Sequence, residues 1–109
     1  LKKGYRHYFV QKDDSNVGFI AFYPKENAMY LSKFYLYKSE RGKGYSHQMM
    51  EFVIEKAKEL NLSAIELNVN KENPACRVYE RLGYRILRSE KNDIGCGFYM
   101  DDYVYRLEL

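Results

Sequence analysis

Cysteine and long hydrophobic runs are both scarce in this chain of 109 residues. Its two cysteines, Cys76 and Cys96, are too few for a disulfide framework and do not stand at a metal-ligand spacing. A reducing, cytoplasmic setting without a bound metal is therefore expected. No segment approaches the roughly 20 apolar residues that a membrane-spanning helix needs, and the first residues, LKKGYRHYF, lack the pattern of a secretory signal. The composition predicts a globular protein without a membrane partner.

Charge of one sign is not concentrated anywhere in the sequence. The 18 lysines and arginines are interspersed with 15 aspartates and glutamates, which gives a net charge of +3. Such a distribution does not argue for a nucleic-acid partner. Twelve tyrosines favour strands, and the length predicts one sheet-rich domain over residues 1–109. A tyrosine-rich sheet that stacks on nucleic-acid bases is an alternative, but no RNP-type motif supports it.

Turn residues and alternating hydrophobicity predict an antiparallel meander at the start of the chain. We expect strands over residues 5–12, 17–23 and 28–37, joined by turns at 13–16 and 24–27. A further strand over 64–70 alternates apolar and polar side chains. Because a helix joins it to the strand at 28–37, a right-handed crossover would make these two strands parallel. Strands at 84–91 and 103–109, separated by a loop at 92–97, are predicted to follow.

Two helices are predicted between these strands. The first follows the loop KSERGKGYS and ends near Asn61, and its apolar residues recur at spacings of three and four: Met49, Met50, Val53, Ile54, Ala57 and Leu60. The second starts at Asn73-Pro74, an N-cap side chain followed by proline at the first helical position. Its apolar residues are Ala75, Val78, Tyr79 and Leu82, and Gly83 fits the left-handed residue just past a helix end.

The loop before the first helix has the composition of a phosphate-binding site. Gly42 and Gly44 each stand beside a cation, Arg41 and Lys43. Main-chain N–H groups at a helix start are unpaired and lie at the positive end of the helix dipole, and glycines let a ligand approach them. The P-loop motif G-x-x-x-x-G-K-[ST] is absent, and residues 42–44 supply only the first half of G-x-G-x-x-G. Neither nucleotide motif therefore accounts for this loop.

The loop does match a different pattern. Residues 41–46, RGKGYS, resemble the R-x-x-G-x-G/A loop of the GNAT N-acetyltransferase superfamily, with Ser46 where the family prefers glycine or alanine. Leu36, five positions before Arg41, matches the hydrophobic residue that ends the preceding strand, and the tail DDYVYRLEL looks like the family's last strand. A second signature of the family is matched by Asn73, Ala75, Tyr79, Gly83 and Tyr84.

This resemblance covers nearly the whole chain and implies a fold. The expected fold is a mixed α+β domain with a central, mostly antiparallel twisted sheet, helices on both faces and a splayed pair of parallel strands. The chain aligns with the family from its second strand onward, so we expect the opening strand and helices to lie in an upstream segment. Without that segment an edge strand and part of the core would be uncovered, which would favour a homodimer.

The resemblance also implies that acetyl-CoA is the co-substrate. The main-chain amides that would bind its diphosphate belong to Arg41, Gly42, Lys43, Gly44, Tyr45 and Ser46. The backbone at Leu36 and Tyr37 would pair with the pantetheine arm as though that arm were another strand. Asn73 would contact the cofactor from the second helix, with a purely structural N-cap as the alternative.

In the family, an amine attacks the acetyl thioester and a thiolate leaves. Tyr79 resembles the tyrosine that protonates or hydrogen-bonds the departing sulfur, and a phenol with a pKa of about 10 is protonated at neutral pH. The alternative is that Tyr79 only packs. The third strand lacks the carboxylate that often serves the family as a base, so Glu66 is the best substitute, with a solvent-facing carboxylate as the alternative. His7 is a weaker candidate for the base, with a surface strand residue as the alternative, and Cys76 is interpreted as a small helix residue near the cofactor rather than a nucleophile.

The sequence thus predicts an N-acetyltransferase that moves an acetyl group from acetyl-CoA to a primary amine of a small molecule or peptide. It does not specify the acceptor. A non-catalytic acyl-CoA-binding module, in which the loop is kept and the base is lost, is the alternative.

Overall fold

The computed structural model describes residues 4–109, apart from the side chains of Asn92, Ile94 and Met100. It divides into two compact units, residues 1–65 with Leu109, and residues 66–108. In chain order the elements are β1 (Arg6–Lys12), β2 (Ser15–Lys25), β3 (Ala28–Leu36), a 3₁₀ turn (Lys38–Glu40), α1 (Tyr45–Glu59), β4 (Ala64–Asn70), α2 (Ala75–Arg81), β5 (Arg85–Gly95) and β6 (Phe98–Glu108).

The first unit is the predicted antiparallel meander with one helix. Its strands lie in the order β1-β2-β3, and both pairings are antiparallel. Asp13 and Asp14 join β1 to β2 as a two-residue turn in which both residues have positive φ, 51° and 67°. Such turns match the right-handed twist of the strands they connect. The second predicted turn is shorter than expected, because β2 continues through Pro24 to Lys25.

Helix α1 buries the apolar stripe that the sequence predicts. Met49, Met50, Val53 and Ala57 are its buried residues, and Phe52 makes an edge-on contact with the ring of Tyr8 on β1 at 4.9 Å. The prediction for Leu60 is wrong, because the helix ends at Glu59 and Leu60 is exposed. The end is closed by Asn61 at positive φ (59°), with the N–H of Leu62 donating to the carbonyl of Ala57 at 2.9 Å. Asparagine tolerates this left-handed position, which explains why the helix stops there.

Gly18 brings β2 unusually close to the end of β3. A Cβ atom at this position would lie 2.3 Å from the carbonyl oxygen of Tyr35, so any larger residue would push the two strands apart. One residue further, the N–H of Tyr37 donates to the carbonyl of Val17 at 2.8 Å. These two contacts fix the point at which the chain leaves β3 and enters the loop before α1.

The second unit holds strands in the order β4-β6-β5 and helix α2. Strands β4 and β6 are antiparallel. Glu66, early in β4, pairs with Arg106, late in β6, whereas Lys71, just after β4, bonds to Asp101, earlier in β6. Strand β4 has the predicted bounds and alternation, with Ile65, Leu67 and Val69 buried. The predicted parallel pairing of residues 28–37 with residues 64–70 involves both units and stays a prediction.

The last hairpin is longer than the sequence suggested. Residues 92–97 do not form a loop, because β5 runs to Gly95 and β6 begins at Phe98 rather than at Tyr103. Cys96 and Gly97, with φ of 53° and 78°, form a two-residue turn of the same kind as the turn after β1. Asp93 and Gly95 are typical loop residues, and cysteine is uncommon at the positive φ of a two-residue turn. The sequence therefore predicted a loop here instead of two strands joined by a tight turn. None of the helices within residues 4–109 is long and apolar enough to cross a membrane.

Candidate active site

The loop between β3 and α1 is shaped by two glycines. Gly42 and Gly44 have φ of 80° and 83°, and no atom lies within 4 Å of where a Cβ would stand on either of them. Glycine is therefore required here by backbone conformation and not by crowding. The open space above both residues leaves the main chain accessible to a ligand. Helix α1 begins directly after Gly44, at Tyr45, which lies inside the segment predicted as a loop.

The N–H groups in the second half of this loop and in the first turn of α1 are not used by other groups of the described residues. The first hydrogen bond into α1 is that from Gln48 to the carbonyl of Gly44, at 3.4 Å, and Gly44 has no side chain with which to cap the helix. Residues 42–47 are fully described, and none of their main-chain N–H groups has a hydrogen-bond partner in the structure. The first turn also contains no acidic residue. Unpaired donors at the positive end of a helix are a site for an anion.

Three of the cations in or beside this loop, Arg41, Lys43 and Lys12, differ in how they are held. The Nε of Arg41 donates to the carbonyl of Leu36 at 3.0 Å, and its guanidinium lies 5.7 Å from the ring centre of Tyr35. Arg41 therefore folds back on the end of β3. The ammonium of Lys43 lies 3.4 Å from a carboxylate oxygen of Glu40 and stays largely exposed.

The third cation was not singled out from the sequence. Lys12, at the end of β1, lies beside Tyr45, with its ammonium 5.4 Å from the ring centre and 3.9 Å from Glu40. A hydrogen bond to Tyr45 raises the pKa of Lys12 above its usual value. The hairpin β1–β2 brings Lys12 to the loop, and this contact spans more than 30 residues, so no local pattern could have shown it.

The main chain at the end of β3 is already hydrogen-bonded. Leu36 is buried, and its carbonyl accepts the bond from Arg41. The N–H of Tyr37 donates to Val17, and the carbonyl of Tyr37 accepts from Glu40 at 2.8 Å. A ligand that pairs with this segment must therefore share or displace the Arg41 contact.

Helix α2 begins at Ala75, two residues after the predicted cap residue Asn73. Oδ1 of Asn73 accepts the N–H of Ala75 at 2.9 Å, and Pro74 has helical angles, φ −56° and ψ −20°. The capping interpretation of Asn73 is thereby confirmed. Its side-chain NH₂ group is not used by this cap and is available to a ligand. The predicted apolar face of the helix is wrong at Val78, which is exposed, whereas Cys76 is buried.

Tyr79, on α2, lies in a buried cluster of aromatic side chains. Its ring contacts those of Tyr84 and Tyr105, with centres 5.6 and 6.3 Å apart. Burial, with a smaller contribution from Cys76, raises the pKa of Tyr79 to about 12. The thiol of Cys76 lies 3.4 Å from the carbonyl of Asn70, the last residue of β4. Tyr79 is thus a neutral hydroxyl at any physiological pH.

The remaining candidates for acid–base chemistry are Glu66 and His7. The carboxylate of Glu66 forms an ion pair with the guanidinium of Arg106 on β6. Contacts with Glu108 and then Glu66 raise the pKa of Arg106. His7 is exposed on β1, and its ring lies 4.7 Å from that of Tyr5. Within the described residues, no group of three or more His, Cys, Asp or Glu side chains could hold a metal ion.

A family model described as the acetyltransferase (GNAT) domain matches residues 1–100 of the sequence. The chain belongs to this family. No curated protein matches the sequence.

Solved structures with this GNAT fold are similar over almost the whole chain. An acetyltransferase from Bacillus subtilis in complex with CoA has a TM-score of 0.81 at 19% identity, over 98% of this chain and 78% of the other. A GNAT acetyltransferase from Elizabethkingia anophelis with acetyl-CoA bound has a TM-score of 0.84 at 18% identity, over 97% and 77%. The ribosomal-protein-S18-alanine N-acetyltransferase from Escherichia coli has a TM-score of 0.81 at 15% identity, over 99% and 71%.

These comparisons confirm the predicted fold class, a mixed α+β domain of GNAT type. Family membership also confirms the predicted class of enzyme, an acetyltransferase that uses acetyl-CoA. The two segments that resemble the GNAT signatures are both described in the structure. The glycine loop before α1 presents free main-chain donors, and α2 presents a capped start and a buried tyrosine.

The burial of Tyr79 should make the protein sensitive to alkali. Because the folded-state pKa of Tyr79 lies above the unfolded value of 10, its contribution to stability is complete below about pH 10 and is lost as the pH rises toward 12. We expect the free energy of unfolding to fall by up to about 1.4 kcal/mol per pH unit for this residue across that window. Burial also raises the pKa of Tyr84 and Tyr105, so the total decline should be steeper.

Urea denaturation followed by circular dichroism at a series of pH values would measure this decline. In the Tyr79→Phe variant the slope above about pH 10 should be shallower than in the wild type. Equal slopes for the two proteins would contradict the assignment of a raised pKa to Tyr79.

Proposed function

We propose that the chain is an N-acetyltransferase that transfers the acetyl group of acetyl-CoA directly to a primary amine. The free main-chain donors of residues 42–47 are the observation that supports this proposal most strongly. In the reaction, the amine nitrogen attacks the thioester carbonyl, the carbon–sulfur bond breaks, and the products are an acetamide and the coenzyme A thiol. The amine loses one proton and the sulfur gains one.

The loop before α1 is proposed to hold the diphosphate of acetyl-CoA. Main-chain amides of residues 42–46 would donate to the phosphate oxygens, with the two glycines allowing close approach, whereas the N–H of Arg41, also expected from the sequence, already donates to the carbonyl of Lys38 at 3.3 Å. Lys43 and Lys12 add positive charge at the two sides of the loop, although Glu40 balances part of it. Arg41 acts differently in this proposal, because its side chain holds the end of β3 through Leu36.

The pantetheine arm is proposed to run along the end of β3, past Leu36 and Tyr37. The contact from Arg41 to the Leu36 carbonyl marks an acceptor that a pantetheine amide could use in its place. On α2, the free NH₂ group of Asn73 is proposed to donate to the cofactor while its Oδ1 keeps the helix capped.

Tyr79 is proposed to donate a hydrogen bond to the departing sulfur. A pKa of about 12 makes full proton transfer from Tyr79 to a thiolate, whose conjugate acid has a pKa near 8.5, unfavourable by about 5 kcal/mol. A hydrogen bond to the charge that develops on sulfur requires no such transfer. The thiolate can then take its proton from water after it leaves.

The acceptor amine must be neutral when it attacks. For an amine with a pKa of about 10.4, deprotonation at neutral pH costs roughly 4 kcal/mol. Glu66 is the carboxylate proposed for this step from the sequence, but its side chain is engaged in an ion pair with Arg106. The ion pair therefore favours a structural role for Glu66. The acceptor class, an amine of a small molecule or peptide, agrees with the protein alanine named for the Escherichia coli neighbour.

Replacing one loop glycine tests the diphosphate site. Gly44→Ala forces an L-residue into positive φ at the mouth of the loop and should weaken acetyl-CoA binding by at least about tenfold, or roughly 1.4 kcal/mol. Gly97→Ala is the matched control, since Gly97 has a similar φ of 78°, no neighbouring atom within 4 Å and a place in the β5–β6 turn. Both variants should lose about 1 kcal/mol of stability, whereas only Gly44→Ala should lose affinity by calorimetry. Similar affinities for the two variants would refute the site.

Removing the Tyr79 hydroxyl tests the chemistry. Tyr79→Phe should lower kcat by about 100-fold, the usual effect of losing one donor to a developing anion, while the Kd for acetyl-CoA stays within about twofold. Tyr103→Phe, a nearby tyrosine on β6, serves as the control and should keep full turnover. Unchanged turnover in Tyr79→Phe would remove this residue from its proposed role. Binding of acetyl-CoA without turnover of any amine in the wild type would instead indicate a non-catalytic acyl-CoA-binding module.

A further inference from the structure

One face of the second unit carries a row of polar side chains that the proposed function does not explain. Side chains alternate between the faces of a strand, so Asp102 and Arg106 on β6 share a face that Tyr105 does not. Arg106 pairs with Glu66 of β4 on this face, which places Glu66 and Asn68 there as well. Tyr105, on the opposite face, contacts Tyr79. The polar row therefore lies on the side of β6 away from the proposed sulfur donor.

Asp102 is the unusual member of this row. It is only 6% exposed and is the one buried charged residue within the described part of the chain. Its Oδ1 atom is fully buried and has no hydrogen-bond partner. A buried carboxylate oxygen without a partner is unfavourable, and a ligand that donates a hydrogen bond to it would compensate this cost.

The neighbours of Asp102 do not neutralise it. Glu90 lies opposite Asp102 on β5, and its two carboxylate oxygens accept from Asn68 at 3.2 Å and from Arg88 at 2.9 Å. Arg88 is thus committed to Glu90. The acid next in sequence, Asp101, points to the other face and pairs with Lys71 at 3.0 Å. Arg106 is shared by the carboxylates of Glu66 and Glu108 on this face, and no ion pair to Asp102 is seen among the described residues.

The position of Asp102 suits a substrate group. The bond from the N–H of Lys71 to the carbonyl of Asp101, at 3.0 Å, sets the register of β4 against β6 and brings Asp102 beside Asn70, the end of β4. In the proposed function, Tyr79 approaches the sulfur from the face of β6 that carries Tyr105. The attacking amine needs a different approach to the thioester. Within the second unit, Asp102 lies on the opposite face of β6 from Tyr105 and is therefore not on the side of Tyr79.

We propose that Asp102 binds an ammonium group of the amine acceptor, with Asn68 and Glu90 forming the polar surroundings of that group. This inference rests on the proposed acetyl transfer to amines. A single ammonium ion supplies one positive charge and three donors, which matches one buried carboxylate with an unused oxygen. A metal ion is a poorer match, since no group of three or more ligating side chains is present among the described residues. Asp102 is therefore assigned as a residue that determines acceptor specificity.

Two probe amines and two variants test this assignment. Acetylation of n-butylamine and of 1,4-diaminobutane is measured at saturating acetyl-CoA for the wild type, Asp102→Asn and Asp101→Asn. Asp102→Asn should raise KM by at least about tenfold for the diamine, with the Kd for acetyl-CoA unchanged by calorimetry. Asp101→Asn removes the same charge from the opposite face and should change KM by less than about twofold. A loss confined to the diamine assigns Asp102 to a second ammonium group, whereas a loss for both amines assigns it to the reacting one.

A second measurement needs no variant. The side-chain carboxyl carbons of the wild-type protein, labelled with ¹³C at aspartate, are followed by NMR during titration with 1,4-diaminobutane and with 1,4-butanediol. The Asp102 resonance should shift with the diamine and not with the neutral diol. An unshifted resonance, or an unchanged KM in Asp102→Asn for both amines, would overturn the assignment. If the wild type acetylates no amine, the proposed function fails, and the NMR titration still decides whether Asp102 binds an ammonium group.

Discussion

The unpaired main-chain donors at the start of α1 are the feature on which the functional account depends. Two glycines at positive φ turn the chain so that the amides of residues 42–47 have no acceptor within the protein. Every helix start leaves N–H groups without an intrahelical partner, and here the two glycines and the exposed backbone keep them open to an anionic ligand. The close contact of Gly18 with β3 and the bond from Arg41 to Leu36 hold the approach to this loop in place. The loop that starts helix α1 is therefore also the proposed diphosphate site.

In the proposed function, the second unit supplies the donor to the departing sulfur, and burial sets the properties of that donor. The aromatic cluster around Tyr79 keeps its hydroxyl protonated, and the same burial makes it too weak an acid to transfer its proton completely. Stabilisation of charge on sulfur is then an electrostatic effect of a placed donor. Two carboxylates on the face away from Tyr105, Glu66 on β4 and Asp102 on β6, differ in how they are compensated. Arg106 compensates Glu66, whereas Asp102 is left for a group from outside the chain.

Much of this could be predicted from the sequence, because the signals are local. The alternation of β4, the cap at Asn73 and the glycines beside Arg41 and Lys43 depend on neighbouring residues and on backbone conformation. The features that were missed depend on contacts between distant residues. Lys12 reaches the loop only through a hairpin, and the partner of Glu66 lies 40 residues away. The long β5–β6 hairpin was concealed by a cysteine at positive φ, and Asp102 appears in the sequence as an ordinary polar residue of a strand.

The central claim is that the loop amides bind a diphosphate, and its most direct test compares two acetyl donors. Isothermal titration calorimetry with acetyl-CoA and with S-acetylpantetheine, which lacks the diphosphate and the nucleotide, measures what the loop contributes to affinity. If the amides of residues 42–47 bind the diphosphate, acetyl-CoA should bind at least about 100-fold more tightly, or roughly 2.7 kcal/mol, with the difference reduced at high salt. Equal affinities for the two donors, or no binding of acetyl-CoA, would contradict the account.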